Sequence, residues 1–183
     1  MKLYRIFIAI NLPDDTKEQL LAYRDRWPEI PARWTTKENL HLTLAFLGNT
    51  SDQALEKVCG AIKQIGERHN PFSIEFTKIV YEPSKQAPKM IWALGDSPKL
   101  LALQKDVAQT LHAEQEQNFT PHLTLARLRA FELQRMEPEE IPDINEEISF
   151  SFKVTSIEVM ESKPRRSGAE YSIVQSVLLA PRE

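Results

Sequence analysis

Two stretches of this sequence carry the same tetrapeptide, His-Leu-Thr-Leu. It occurs at His41–Leu44 in ENLHLTLAFLGNT and again at His122–Leu125 in FTPHLTLARLR. With four His and ten Thr among 183 residues, a His-apolar-Thr-apolar tetrapeptide is expected by chance about 0.04 times. Two copies therefore carry information, although duplication of a purely structural strand would leave the same trace. Successive side chains of a strand alternate faces. His41 and Thr43 then share one face while Leu42 and Leu44 enter a core; His122 and Thr124 stand likewise against Leu123 and Leu125. If the two displayed faces meet across a groove, the site holds two imidazoles and two hydroxyls.

That set suits proton transfer at a phosphate. Histidine titrates near neutral pH, so one ring can be neutral while the other is protonated. One ring takes a proton from water as the other gives one to a leaving oxygen. The two hydroxyls can hold the non-bridging oxygens between them. No metal is demanded, and two histidines without nearby Cys or carboxylate ligands make a poor closed zinc site. A lone strand histidine is usually a hydrogen-bonded structural residue; two copies with matched hydroxyls weigh against that interpretation. His69 and His112, in GERHN and TLHAEQ, fall at helix ends in polar company and take no role beyond solvation or the helix dipole.

The elements that must position these residues follow from apolar spacing. Tyr4–Ile10 reads as a buried strand ended by Asn11-Leu12-Pro13, and Asp14 or Asp15 caps a helix carrying Leu20, Leu21 and Tyr23. Leu40–Leu47 is a strand stopped by Gly48-Asn49. Ser51 opens a helix with Leu55, Val58, Cys59, Ile62 and Ile65 at helical spacing. Phe72–Tyr81 and Met90–Leu94 are strands flanking the loop EPSKQAPK. Ser97-Pro98 caps a helix with Leu100, Leu103, Val107 and Leu111. His122–Leu128 is a strand and Glu132–Met136 a short helix. Two β-rich runs, Ile148–Met160 and Tyr171–Leu179, end the chain around the loop ESKPRRSGAE. Mixed strands and helices with hairpin-like neighbours predict an α+β fold, and the recurring strand–turn–helix pattern predicts a duplication with one HLTL strand in each of two lobes.

Composition bounds the rest. A chain of 183 residues with 42% hydrophobic and 27% charged residues is an ordinary soluble composition. The single Cys59 offers no disulfide framework, and a reducing cytosol is the expected compartment. The apolar run in MKLYRIFIAINLP is too short for a leader core or a membrane span. A net charge of −3 predicts no general nucleic-acid coat, so any such contact is local. Lys163-Pro164-Arg165-Arg166-Ser167-Gly168 is the best local basic patch, with Lys85 and Lys89 second; each reads equally well as a solvated loop.

The paired motif resembles the two-histidine (2H) phosphoesterase superfamily. RIFIAINLP, LHLTLAFLG, TPHLTLAR and the late GAEYSIV make the resemblance more specific, to the RNA 2′,3′-cyclic phosphodiesterase (2′-5′ RNA ligase-like) group, over nearly the whole chain. The resemblance implies one domain over residues 1–183, with two antiparallel sheets flanked by helices in two pseudo-symmetric lobes around a central cleft. It implies hydrolysis of an RNA-terminal 2′,3′-cyclic phosphate to a 2′-phosphate without metal or cofactor, with reversible 2′-5′ RNA ligation in some relatives. It makes His122 the proton acceptor, His41 the proton donor, and Thr43 and Thr124 the phosphate holders. Arg127 follows the second motif as the family's arginine does, yet strict alternation puts it on the leucine face, so a bulge or twist must turn it inward. Phe46 occupies the matching place in the first half. Phe7 could stack a terminal base or could simply be core. The expected partners are RNA ends bearing the cyclic phosphate, or small cyclic nucleotides, acting on a cytoplasmic monomer with no membrane contact.

The same residues fit two other function classes. One is a phosphodiesterase acting on another small cyclic phosphate, such as a cyclic nucleotide or ADP-ribose 1″,2″-cyclic phosphate. The other is a binding module that keeps the cleft without turnover, which has no need of two proton-transfer groups.

Overall fold

A computed structural model describes residues 2–113, 119–166 and 168–180. Among the described residues, nine strands form two antiparallel sheets. One sheet has the order β3-β1-β8-β9 and the other β2-β6-β5-β4-β7, where β1 is Leu3–Asn11, β2 Ala32–Trp34, β3 His41–Ser51, β4 Phe72–Glu82, β5 Met90–Asp96, β6 His122–Leu128, β7 Asn145–Val154, β8 Ser156–Arg165 and β9 Gly168–Leu178. Helices α1 (Asp14–Leu21), α2 (Asp52–Arg68), α3 (Pro98–Thr110) and the short α4 (Ala130–Leu133) flank them. The expected α+β architecture of two antiparallel sheets flanked by helices is the one observed. Among the described residues, no helix is long and apolar enough to cross a membrane.

Local chemistry explains where the helices start. Ser51 Oγ accepts from the Ala54 amide at the head of α2, and Ser97 Oγ accepts from the Leu100 amide ahead of Pro98 at the head of α3. Ile62 and Ile65 of α2, and Leu100, Leu103 and Val107 of α3, are wholly buried. α2 seats on β9 at Gly66, where a Cβ would stand 2.6 Å from Val177 Cγ1 and 2.9 Å from the Leu178 carbonyl oxygen. Burial of β1 on both faces has a different reason on each. Ile6, Ile8 and Ile10 enter the main core beneath the helices, while Phe7 and Ala9 pack with Met160 and Tyr171 in a small second cluster.

Several boundaries differ from the sequence expectation. The first turn of α1 begins at Asp14 with Pro13 as the preceding cap, so neither aspartate is the cap itself. β3 does not stop at Gly48-Asn49: it runs on to Ser51 through an irregular pairing in which Ile6 faces Gly48 and Phe7 faces Phe46, leaving Leu47 unopposed. Gly48 has φ +68°, a left-handed conformation that costs glycine little. The short helix lies at Ala130–Leu133 rather than Glu132–Met136. The run Ile148–Met160 is two strands, not one: β7 ends at Val154 in the second sheet, and β8 begins at Ser156 in the first. β2 is an additional strand that pairs with β6 and places Arg33 opposite Arg127.

Candidate active site

β3 and β6 meet where the two sheets adjoin, and each presents its motif to one cleft. Leu42, Leu44, Leu123 and Leu125 are at most 3% exposed, so burial of each contributes about 1.5–3 kcal/mol and holds its strand's facing. On the opposite face His41, Thr43, His122 and Thr124 all line the same cleft, whose volume is about 830 Å³.

The rings are anchored alike. His41 Nδ1 lies 2.7 Å from the Asn39 carbonyl oxygen, and His122 Nδ1 lies 2.8 Å from the Thr120 carbonyl oxygen. A carbonyl only accepts, so Nδ1 carries the hydrogen in both rings and Nε2 is the atom left for chemistry. The acceptor is in each case the residue two places before the histidine. In the first lobe Thr43 Oγ1 donates to His41 Nε2 over 3.1 Å. Asn39 Nδ2 in turn donates to the Ala169 carbonyl at 2.8 Å, tying the His41 anchor to the start of β9.

Both strands break alternation at the same motif position. Ala9 faces Thr43 while Ile8 faces Ala45, so Leu44 bulges; Trp92 faces Thr124 while Ile91 faces Ala126, so Leu125 bulges. Each bulged carbonyl finds a donor: Gln104 Nε2 of α3 for Leu44 at 3.3 Å, and the Thr35 amide for Leu125 at 2.8 Å. The bulge shifts the next residues to the other face. It turns Arg127 onto the His122 side, where it lines the cleft with its Nη1 3.5 Å from Met90 Sδ. The same shift in β3 brings Phe46 to the cleft, 69% exposed. Phe7 also borders the cleft but is only 2% exposed, with its ring centroid 5.0 Å from His41 and 5.1 Å from Tyr171. Phe7 is packed against His41 and Tyr171, and Phe46 is the exposed aromatic ring lining the cleft.

The basic loop is less cationic than its sequence suggests. Arg165 Nε pairs with Glu170 at 2.8 Å, Lys163 with Glu161 at 3.1 Å and Lys85 with Asp143 at 3.1 Å. Ser167 lies outside the described residues. His69 has a partner in Asp106 at 2.9 Å, away from the cleft. Among the described residues no group of three or more His, Cys, Asp or Glu is placed to hold a metal ion.

Burial lowers the His41 pKa to about 4, with Lys17 and His122 also opposing a positive charge and the Asn39 carbonyl favouring it. The folded pKa lies below the unfolded value near 6.5, so between those limits the unfolded chain binds more protons and stability falls as pH falls. The unfolding free energy of the native chain, measured against that of His41→Gln in urea titrations, is expected to drop by about 2–3 kcal/mol between pH 7 and pH 4.5. A constant difference across that range would refute the burial of a neutral ring.

Two HLTL strands face one cleft, and the LigT like Phosphoesterase family matches residues 10–92 and 94–171. The chain belongs to that family. Among relatives of this phosphoesterase, a Methanocaldococcus jannaschii protein named RNA 2′,3′-cyclic phosphodiesterase is 22% identical over 174 residues, covering 93% of this chain and 98% of its own. An Escherichia coli protein of the same name is 30% identical over 135 residues, covering 67% of this chain and 71% of its own. A crystal structure from Thermus thermophilus superposes with a TM-score of 0.81 at 20% identity, over 96% of this chain and 97% of the other. Escherichia coli LigT complexed with 3′-AMP superposes with a TM-score of 0.78 at 24% identity, over 98% of this chain and all of the other. At those identities the two structural likenesses speak for the fold of the phosphoesterase.

Proposed function

We propose that this phosphoesterase hydrolyses RNA-terminal 2′,3′-cyclic phosphate to a 2′-phosphomonoester, using His41 and His122 as an acid–base pair without metal. The observation carrying the proposal is that two carbonyl-anchored imidazoles and two threonine hydroxyls line one cleft. The relatives named for this activity support the choice of substrate. His122 Nε2 removes a proton from water as the water oxygen bonds to phosphorus. The P–O3′ bond breaks, and His41 Nε2 protonates O3′, leaving a 2′-phosphate beside a free 3′-hydroxyl. Thr43 and Thr124 donate to the non-bridging oxygens, and Arg127 offsets the charge that builds there. A 5′-hydroxyl in place of water gives a 2′-5′ phosphodiester, and in the reverse of that step the histidines exchange roles.

The low His41 pKa favours the opposite polarity. With a pKa of about 4, His41 is neutral near pH 7 in the free protein, which suits a base. The anionic phosphate raises that pKa on binding, which suits the acid role. Residual pH–rate profiles separate the two: if His41 is the acid, His41→Ala loses the alkaline limb, and if it is the base, the acidic limb.

The test is incubation of the purified protein with an RNA ending in a 2′,3′-cyclic phosphate, in the presence of chelator, with identification of the product. A 2′-phosphomonoester supports the proposal. Loss of activity with chelator and recovery with metal overturns it. Faster turnover of a mononucleotide or of ADP-ribose 1″,2″-cyclic phosphate than of the RNA moves the substrate to a small cyclic phosphate, and tight binding without turnover leaves a binding module. Phe46, exposed beside His41's aromatic support, offers a face to the terminal base. Phe46→Ala is expected to raise KM about 5- to 100-fold with kcat little changed, and Phe46→Trp to restore it; steady-state kinetics checks both.

A further inference from the structure

The two histidines share an anchor but not a neighbour. The His122 ring lies face to face on the Trp92 indole, with centroids 3.6 Å apart and planes within 13°. His41 instead meets Tyr171 edge-on at 90° and Phe7 at a 42° tilt. The bulged ladders locate the source of the difference: Trp92 stands opposite Thr124 on β5, and the matching place opposite Thr43 on β1 is Ala9. Only at the second motif does the residue opposite the threonine lay its ring face to face on the histidine. Trp92 Nε1 is also buried with no hydrogen-bond partner among the described residues. An unsatisfied indole N–H is a cost that a phenyl ring would not carry, so the use of tryptophan here lies in its face. Among aromatic side chains, the indole face attracts a cation most strongly.

We propose that Trp92 is a positioning residue for His122, fixing the plane of its imidazole and supporting its protonated form. This rests on the two-histidine reading above but holds for either polarity. A base becomes imidazolium as the water proton moves, and an acid must begin as imidazolium; the indole face favours the charged ring in both cases. The other titratable or charged side chains lining the cleft, among the described residues, are Arg5, His41, Glu82, Arg127 and Tyr171. None of these is on β5, so changing Trp92 leaves all of them in the sequence.

The experiment is histidine-resolved NMR titration of the free protein, with steady-state kinetics, for native chain, Trp92→Phe and Trp92→Leu. In the native chain the His122 ring signals should show the upfield displacement of a stacked ring. Trp92→Leu is expected to abolish that displacement, lower the His122 midpoint by about half to one pH unit and lower kcat about 5- to 30-fold with KM little changed. Trp92→Phe should fall between, and it decides the matter alone if the leucine variant does not fold. An unchanged His122 midpoint, or a loss confined to KM, overturns the proposal. The titration needs no substrate, so a native chain inactive on cyclic phosphate sinks the hydrolase reading while the midpoint shift still judges Trp92.

Discussion

His41→Ala and His122→Ala are each expected to lower kcat/KM for cyclic-phosphate hydrolysis by about 10²- to 10⁴-fold, with circular dichroism unchanged. Each ring makes one anchoring hydrogen bond to a carbonyl in its own strand approach, so its removal leaves the core leucines on the far face untouched. The two losses should not multiply. Once the acid or the base is gone, the concerted path is closed, and removing its partner costs little more. The double variant is therefore expected within about tenfold of the worse single one. Kinetics on the three variants checks this, and either single variant retaining more than a tenth of native activity would remove the acid–base pair from the mechanism.

The sequence made the motif strands, their buried leucines and the serine caps of α2 and α3 legible because each depends on neighbours a few residues away. The facing of Arg127 was not legible in that way. Alternation sent it to the leucine face, and only the pairing of Trp92 with Thr124 and Ile91 with Ala126 reveals the bulge at Leu125 that turns it. A bulge is a property of two strands, so no single strand announces it. The same logic hid Phe46, which read as a mere counterpart of Arg127 while Phe7 drew attention as the stacking candidate. Phe7 lies in a strand buried on both faces, and its depth depends on Met160 and Tyr171, contributed by β8 and β9. The crossover at Thr155 left no mark because FSFKVTSIEV is strand-forming throughout, without Gly or Pro. β2 escaped notice because its three residues gain their pairing from β6 rather than from their own pattern. Trp92 sits in MIWAL, where an apolar run reads as core until the ring beside it is seen.

Thr43→Val and Thr124→Val are each expected to lower kcat by about 10²-fold, the usual effect of deleting one neutral donor to an oxyanion. Serine should recover most of the loss at either position, since it keeps the hydroxyl and gives up only a methyl group. Beyond kcat the two threonines should part company. Thr43 donates to His41 Nε2 in the free protein, an interaction that favours the neutral ring. For His41 to carry a proton at Nε2, that hydroxyl must turn away, and a phosphate oxygen arriving in the cleft gives it a new acceptor. In the proposed mechanism, substrate binding frees Nε2 and supplies the anion that stabilises its proton in one movement. Thr43→Val removes the competing donor beforehand, so the His41 midpoint in the free protein should rise and the corresponding limb of the pH–rate profile should move upward with it. Thr124→Val should leave that midpoint in place, because the hydroxyl facing His41 is untouched. Titration of His41 in the two valine variants reads the difference directly, and equal midpoints would mean that the Thr43 hydroxyl serves the phosphate alone.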